Sequence, residues 1–236
     1  MARLPRLIVP GHLHLLLQRS HGGSPVFREN DDFISYREAL AESAREHGVA
    51  IHAYAVLPSQ VLMLVTPANA TALSRMWQAL GRRFGAGYNR RHRRTGVLWE
   101  GRFRTTVVDA HAHLLDCSRY VERMPVGAGL VDAPADYPWS SAAHHVGVRA
   151  DGLVTEHAGF WALGNTPFDR EARYRRLLAE PLPAALQARI THASIMGWAL
   201  GDASFARAVG QLTPRRVVPL SRGRPRKEEV KKTVPE

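Results

Sequence analysis

A single cysteine, Cys117, stands among the 236 residues of the chain, which excludes an internal disulfide framework and suits a reducing cytoplasm. The pattern around it puts Cys117 on a helix face, where packing is its expected role because no neighbour in the sequence singles it out as an activated thiolate. Long apolar runs are missing too. The nearest is MARLPRLIVPGHLHLLLQR at the start, but His12, His14 and Gln18 interrupt it and no small-residue cleavage site follows, so it reads as a first strand. Acidic residues are scarce: 21 against 32 Lys and Arg, a formal net charge of +11. A surplus of that size implies a polyanionic partner, and DNA or RNA is favoured over a membrane because no basic amphipathic helix with a broad apolar face is evident.

What the chain does have is clustering. Its arginines concentrate between residues 82 and 104 and again from 215 onward, which favours a binding surface over scattered solubilising charge. Arg82, Arg83, Arg90, Arg91, Arg93 and Arg94 precede Arg102 and Arg104, with Tyr88, Trp99 and Phe103 interleaved. Guanidiniums neutralise phosphates and aromatic faces stack bases, so this combination points to nucleic acid. Tyr120 follows on a helix-patterned segment with Arg119 and Arg123 beside it. A tyrosine hydroxyl in such a setting can attack a phosphodiester while arginines hold the phosphate oxygens. The plain alternative is a packing tyrosine on an amphipathic helix.

Periodicity and turn residues predict a strand over residues 6–18 and a helix within DDFISYREALAESAREHG, with Asp31 or Asp32 near its cap and Gly48 at its end. Two strands, VAIHAYAVL and QVLMLVTP, meet at Leu57-Pro58-Ser59. A helix then runs from Thr71 to about Arg91, and the β-rich RFRTTVVD leads into the Tyr120 helix. This order predicts an α+β sandwich, one sheet with helices on one side. The Pro-rich DAPADYPWSS closes the core, which divides the chain into a DNA-binding domain over 1–148, a helical C-terminal region over 149–213 and a basic tail, expected to be disordered, over 214–236. In the helical region FDREARYRRLLAE is one segment, and Gly197 and Gly201 break the rest into two or three helices, a candidate helix-turn-helix. In the tail, Arg222-Gly223-Arg224-Pro225 has the form of an AT-hook core for an A·T minor groove, the alternative being a solvated basic tail.

Five segments, RLIVPGHLHLLLQR, HAYAVLPSQVLMLV, YNRRHRRTGVLWEGRF, LLDCSRYVERMPVGAGLV and YPWSS, span nearly all of residues 3–146. In this order and spacing they resemble the single-tyrosine transposases of the HUH class, most closely the REP-associated tyrosine transposases of bacteria. The resemblance implies a ferredoxin-like antiparallel sheet, a single-stranded or hairpin DNA partner, and Tyr120 as nucleophile. It also implies a divalent Mg or Mn ion, held by two histidines flanking a hydrophobic residue on one strand and by a polar residue one turn beyond the tyrosine. Those positions fall on Gln60, Leu62 and Met124. Gln60 offers one weak amide oxygen and Leu62 offers no ligand atom, so no metal or other cofactor is expected unless the ligand set has been rearranged.

His111-Ala112-His113 reproduces the histidine pattern literally, yet it opens the tyrosine helix, where residues two apart diverge by about 200°. With Asp109 it reads as a helix N-terminus, and His47, His52 and His92 are given no ligand role. Three functions follow. The leading one is a DNA-binding protein of the transposase family that has lost metal-dependent cleavage. The others are an active nickase forming a Tyr120 phosphotyrosine, and a DNA-binding regulator acting through its C-terminal region.

Overall fold

Pro10 and Gly11 decide where the sheet begins. In the computed structural model, which describes residues 5–219, Gly11 takes φ +71° and donates its amide to the Pro67 carbonyl, so the chain turns before entering β1 (Leu13–Arg19). The strand expected from residue 6 is therefore shorter, and Leu7 and Val9 are buried instead in a small cluster with Val107, Val209 and Val217. Helix α1 (Asn30–Glu46) follows, then β2 (Val49–Leu57) and β3 (Gln60–Pro67), joined at Pro58-Ser59. Helix α2 (Ala72–Arg91) leads to β4 (Arg104–Val108) and α3 (Ala110–Glu122). Three one-turn helices come next, α4 (Met124–Gly127), α5 (Ala142–His145) and α6 (Ala158–Trp161). Helices α7 (Pro167–Ala179), α8 (Ala184–Met196) and α9 (Ala203–Gln211) complete the described chain. None of these helices is long and apolar enough to cross a membrane.

The sheet order is β2-β3-β1-β4 with every pairing antiparallel, which together with the βαββαβ order makes a ferredoxin-like sheet. Alternation then divides the strands between two cores. Leu16, Ile51, Tyr54, Val56, Val61, Met63 and Val65 face α1 and α2, where they meet Tyr36, Leu40, Leu73, Met76 and Phe84. Leu13, Leu15, Leu17, Ala53, Ala55, Leu62 and Leu64 face the other way, against Leu114, Cys117, Tyr120 and Val121 of α3, Tyr174 and Leu178 of α7, and Ile190 and Ala193 of α8. The expectation of helices on one side is thus corrected: both faces are covered. The second cover comes from the C-terminal half, whose α8 turns its buried residues to β4 and β1. The expected tail is also docked at its beginning, where Val217 is buried and accepts a hydrogen bond from Ala199.

Two buried carboxylates brace the layers. Asp32 caps α1 by accepting from the amides of Arg28 and Glu29, and it receives Arg91 Nη1 at 2.9 Å and His92 Nε2 at 2.8 Å from the end of α2. Burial works against its charge, but the hydrogen bonds from His92 and the two amides prevail and hold the carboxyl below its ordinary range. Glu122, fully buried at the end of α3, accepts from Ser141 Oγ, from His145 Nδ1 at 2.5 Å and from Tyr174 Oη at 2.7 Å, joining α3 to α5 and α7. Cys117 is buried, and burial pushes its thiol up, away from the reactive thiolate.

Two histidines are buried in the neutral form. His14 donates Nδ1–H to the His12 carbonyl at 2.7 Å and accepts the Val9 amide at Nε2, while His52 donates to the Thr155 carbonyl and accepts from Thr66 Oγ1. Burial lowers both to about 4. The unfolded chain takes up these protons near pH 6.5, the folded chain only near 4, so stability is full above the first value and declines as pH falls toward the second. Urea midpoints measured across that window should slope downward with acid by on the order of 1–3 kcal/mol per histidine. His52→Gln should flatten the slope, and an unchanged slope would place the titration elsewhere.

Candidate nucleic-acid interface

Asp109 caps α3 with a hydrogen bond from the His111 amide, and this cap sets the helix that carries Tyr120. His111 is exposed at the first turn while His113 lies beside Asp116 and Arg189, so the two rings do not share a site. Tyr120 is 7% exposed, and its hydroxyl lies 3.1 Å from Thr191 Oγ1 of α8. A cavity of about 150 Å³ beside it is walled by Arg123, Met124, Leu182 and Gln187. The chain between α7 and α8 is tied down over this helix. Arg119 donates to the Glu180 carbonyl at 3.0 Å, and Arg123 donates to those of Leu178 and Ala179 at 2.5 and 2.9 Å.

The positions that a metal would use do not fit one. Leu62 is buried in the same apolar cluster as Tyr120, with Leu17 and Ala55 as its cross-strand neighbours and Met124 packed at the margin. Gln60, two residues earlier on β3, is half-buried and shares that face by alternation. An aliphatic side chain and a thioether cannot replace the hydration of a hard divalent ion. Among the described residues no cluster of three His, Cys, Asp or Glu side chains could hold a metal.

The expected arginine surface separates into two groups. Arg83 pairs with Glu42 and Glu46, Arg91 with Asp32, and Arg94 donates to the Val97 carbonyl. Arg104 donates to the Ile195 carbonyl. With Arg119 and Arg123, these guanidiniums join parts of the fold. Arg82, Arg90, Arg93 and Arg102 are exposed and make no side-chain hydrogen bond or ion pair among the described residues. Arg222 and Arg224 lie outside the described residues.

Of the aromatic residues in the block, Tyr88 is a core side chain, 1% exposed and packed on Phe84, which corrects its reading as a surface group. Trp99 is half-buried against Phe27 and Tyr36, and its position helps wall a groove. That groove follows edge strand β4 as two adjoining depressions that share Arg6, Arg102 and Phe103. The first, about 190 Å³, lies between Gln18, Trp77, Gln78 and Trp99. The second, about 390 Å³, is bounded by Arg104, Thr105, Met196 and Arg215. Arg6 lies 3.9 Å above the Phe103 ring, and Arg215 and Arg216 lie over Trp198. On α2, Ser74 and Gln78 line the first depression, while Arg90 near the end of the helix lies about 160° around the axis from Ser74. The sequence reading missed Arg6, Gln18, Trp77 and Trp198, and it included Arg215 only as the start of the second basic run. The available signal was a polar residue, Gln18, at an inward strand position.

The βαββαβ sheet, covered by helices on both faces, gives an α+β fold. Among solved structures it matches that of a REP-associated tyrosine transposase bound to a REP hairpin, at 17% sequence identity and a TM-score of 0.51, covering 67% of this chain and 96% of that one. A structure from Deinococcus radiodurans R1 matches at 19% identity over 52% of this chain and 97% of its own, with a TM-score of 0.37. No family model and no curated protein matches the sequence.

The poor fit to a metal has a direct test. Leu62→His puts an imidazole into a closed apolar site without a partner and should cost about 2–4 kcal/mol in urea denaturation. Added Mn²⁺ should not restore the midpoint. Restoration by the ion would reinstate a metal site at this position.

Proposed function

We propose that this chain is a DNA-binding protein of the REP-associated tyrosine transposase kind, which holds single-stranded or hairpin DNA on the β4–α2 side and does not carry out metal-dependent strand cleavage. The observation that carries the reading is the set of exposed guanidiniums of Arg82, Arg90 and Arg93 on α2 and just beyond its end, together with Arg102 at the rim of a groove walled by Trp77 and Trp99. Phosphates pair with the exposed arginines, and bases stack on the aromatic walls. The shared fold adds support, since the matched transposase structure was determined with a hairpin.

Two features speak against cleavage. The positions for metal ligands carry Leu62 and Met124, and the Tyr120 hydroxyl is engaged with Thr191 beneath the segment that joins α7 to α8. Phosphodiester attack requires an in-line approach to the hydroxyl and a charge that polarises the phosphate. Tyr120 is then a packing residue of the second core, with Arg119 and Arg123 holding its cover.

Replacing Arg82, Arg90, Arg93 and Arg102 together with Ala should weaken binding to a DNA hairpin across sequences. The log–log salt slope should fall by about 0.7–0.9 for each phosphate that is no longer neutralised. Fluorescence anisotropy at several salt concentrations reads both quantities, and an unchanged slope would move the interface elsewhere.

Arg93 offers a sharper case. It holds φ +48° at the end of α2, a left-handed position that glycine occupies more readily. Arg93→Gly should raise stability by up to about 1 kcal/mol while weakening DNA binding. A variant that gains stability with no loss of affinity would remove Arg93 from the interface.

A further inference from the structure

We infer that the depression between β1 and α2 is a receptor for one unstacked nucleobase of a bound DNA strand, and that Gln18 is the residue that reads its hydrogen-bonding edge. This rests on the proposed DNA-binding function and names what one part of that surface recognises.

Gln18 sits on β1 with its side chain on the α2 side of the sheet, where polar residues are out of place: it is 2% exposed. Its Nε2 donates to the Gly101 carbonyl at 3.4 Å, which fixes the orientation of the amide. Oε1 has no partner. A buried carbonyl left unpaired costs about 1–3 kcal/mol, so an apolar residue would serve the fold better at this position. The missing partner is a hydrogen-bond donor.

The walls indicate which kind of molecule brings that donor. Trp77 and Phe103 pack with ring centroids 4.9 Å apart, Trp99 stands opposite on the loop before β4, and Gln78 and Arg102 are exposed at the rim. The volume of about 190 Å³ admits a single flat heterocycle. Aromatic walls accept the face of any base, an arginine at the rim meets the phosphate that follows it, and the unpaired acceptor of Gln18, a residue lining the depression, calls for an N–H on the edge of the base. An unpaired base presents such an edge. A base inside a duplex has its Watson–Crick edge occupied, so the pocket takes a nucleotide from a single-stranded segment next to a hairpin rather than from the stem.

Gln18→Leu separates reading from mere burial, because it removes the unpaired acceptor while preserving most of the volume. The variant should be as stable as the wild type or more so in urea denaturation. Its affinity for a hairpin with a single-stranded extension should nevertheless fall by about tenfold, the scale of one hydrogen bond in a desolvated site. An abasic scan along the extension completes the test. For the wild type, one abasic position should weaken binding at least tenfold, and for Gln18→Leu that same position should cost distinctly less. Equal affinities of the two proteins for every extension, with the hairpin still bound, would overturn the base receptor and leave the DNA-binding function standing. Absence of hairpin binding by the wild type would overturn both.

Discussion

The carboxylate of Glu122, buried two residues beyond Tyr120, collects hydrogen bonds from Ser141, His145 and Tyr174, and through them α5 and α7 are held against α3. A charge in that position is tolerable only because three donors replace its water, and removing one partner would leave a desolvated ion in the core. The rest of the second layer follows from this interaction. With α7 fixed, its last carbonyls lie within reach of Arg123, residues 180–183 cross the tyrosine helix, and α8 brings Thr191 to the Tyr120 hydroxyl. A face that would be open without these helices is thereby a packed interior.

The opposite layer has its own anchor in Asp32, and the consequence there is different. Holding Arg91 and His92 inward fixes the end of α2 and leaves Arg90 and Arg93 on the outside. Arginines in one run therefore have distinct tasks according to which of them meets an acidic partner from α1. Arg91 and His92 bind the fold together, while Arg90 and Arg93 on either side of them face solvent.

Much of the fold was legible because its signals are local. The Pro58-Ser59 hairpin and the cap of α3 by Asp109 follow from turn and capping chemistry within a few residues, and the span of α2 follows from its periodicity. The double-faced sheet was not read, although β1 and β3 carried the sign of it. Leu15, Leu16 and Leu17, and the unbroken Val61 to Val65, are apolar at both parities, the mark of a strand buried on both sides. Which helices supply the second cover depends on packing with residues far along the chain, such as Ala55 and Leu62 with Leu178 and Ile190, and no local pattern encodes it. The candidate site divides in the same way. Composition disclosed the arginine cluster, but pairing of Arg83 to Glu46 or Arg91 to Asp32 is a tertiary fact, and the Gln18 pocket exists only where β1, α2 and the loop before β4 meet.

On the proposed function DNA is bound along the β4–α2 side, while Tyr120, on the α3 side of the sheet, is buried with its hydroxyl against Thr191 and takes no part in strand cleavage. The most direct test incubates the protein with a single-stranded hairpin substrate in Mg²⁺ and in Mn²⁺, then resolves the mixture under denaturing conditions and maps any modified peptide by mass spectrometry. The expected result is a retained complex in a native gel, an intact strand and no covalent protein–DNA species. A covalent adduct on the peptide containing Tyr120, absent from Tyr120→Phe, would contradict it.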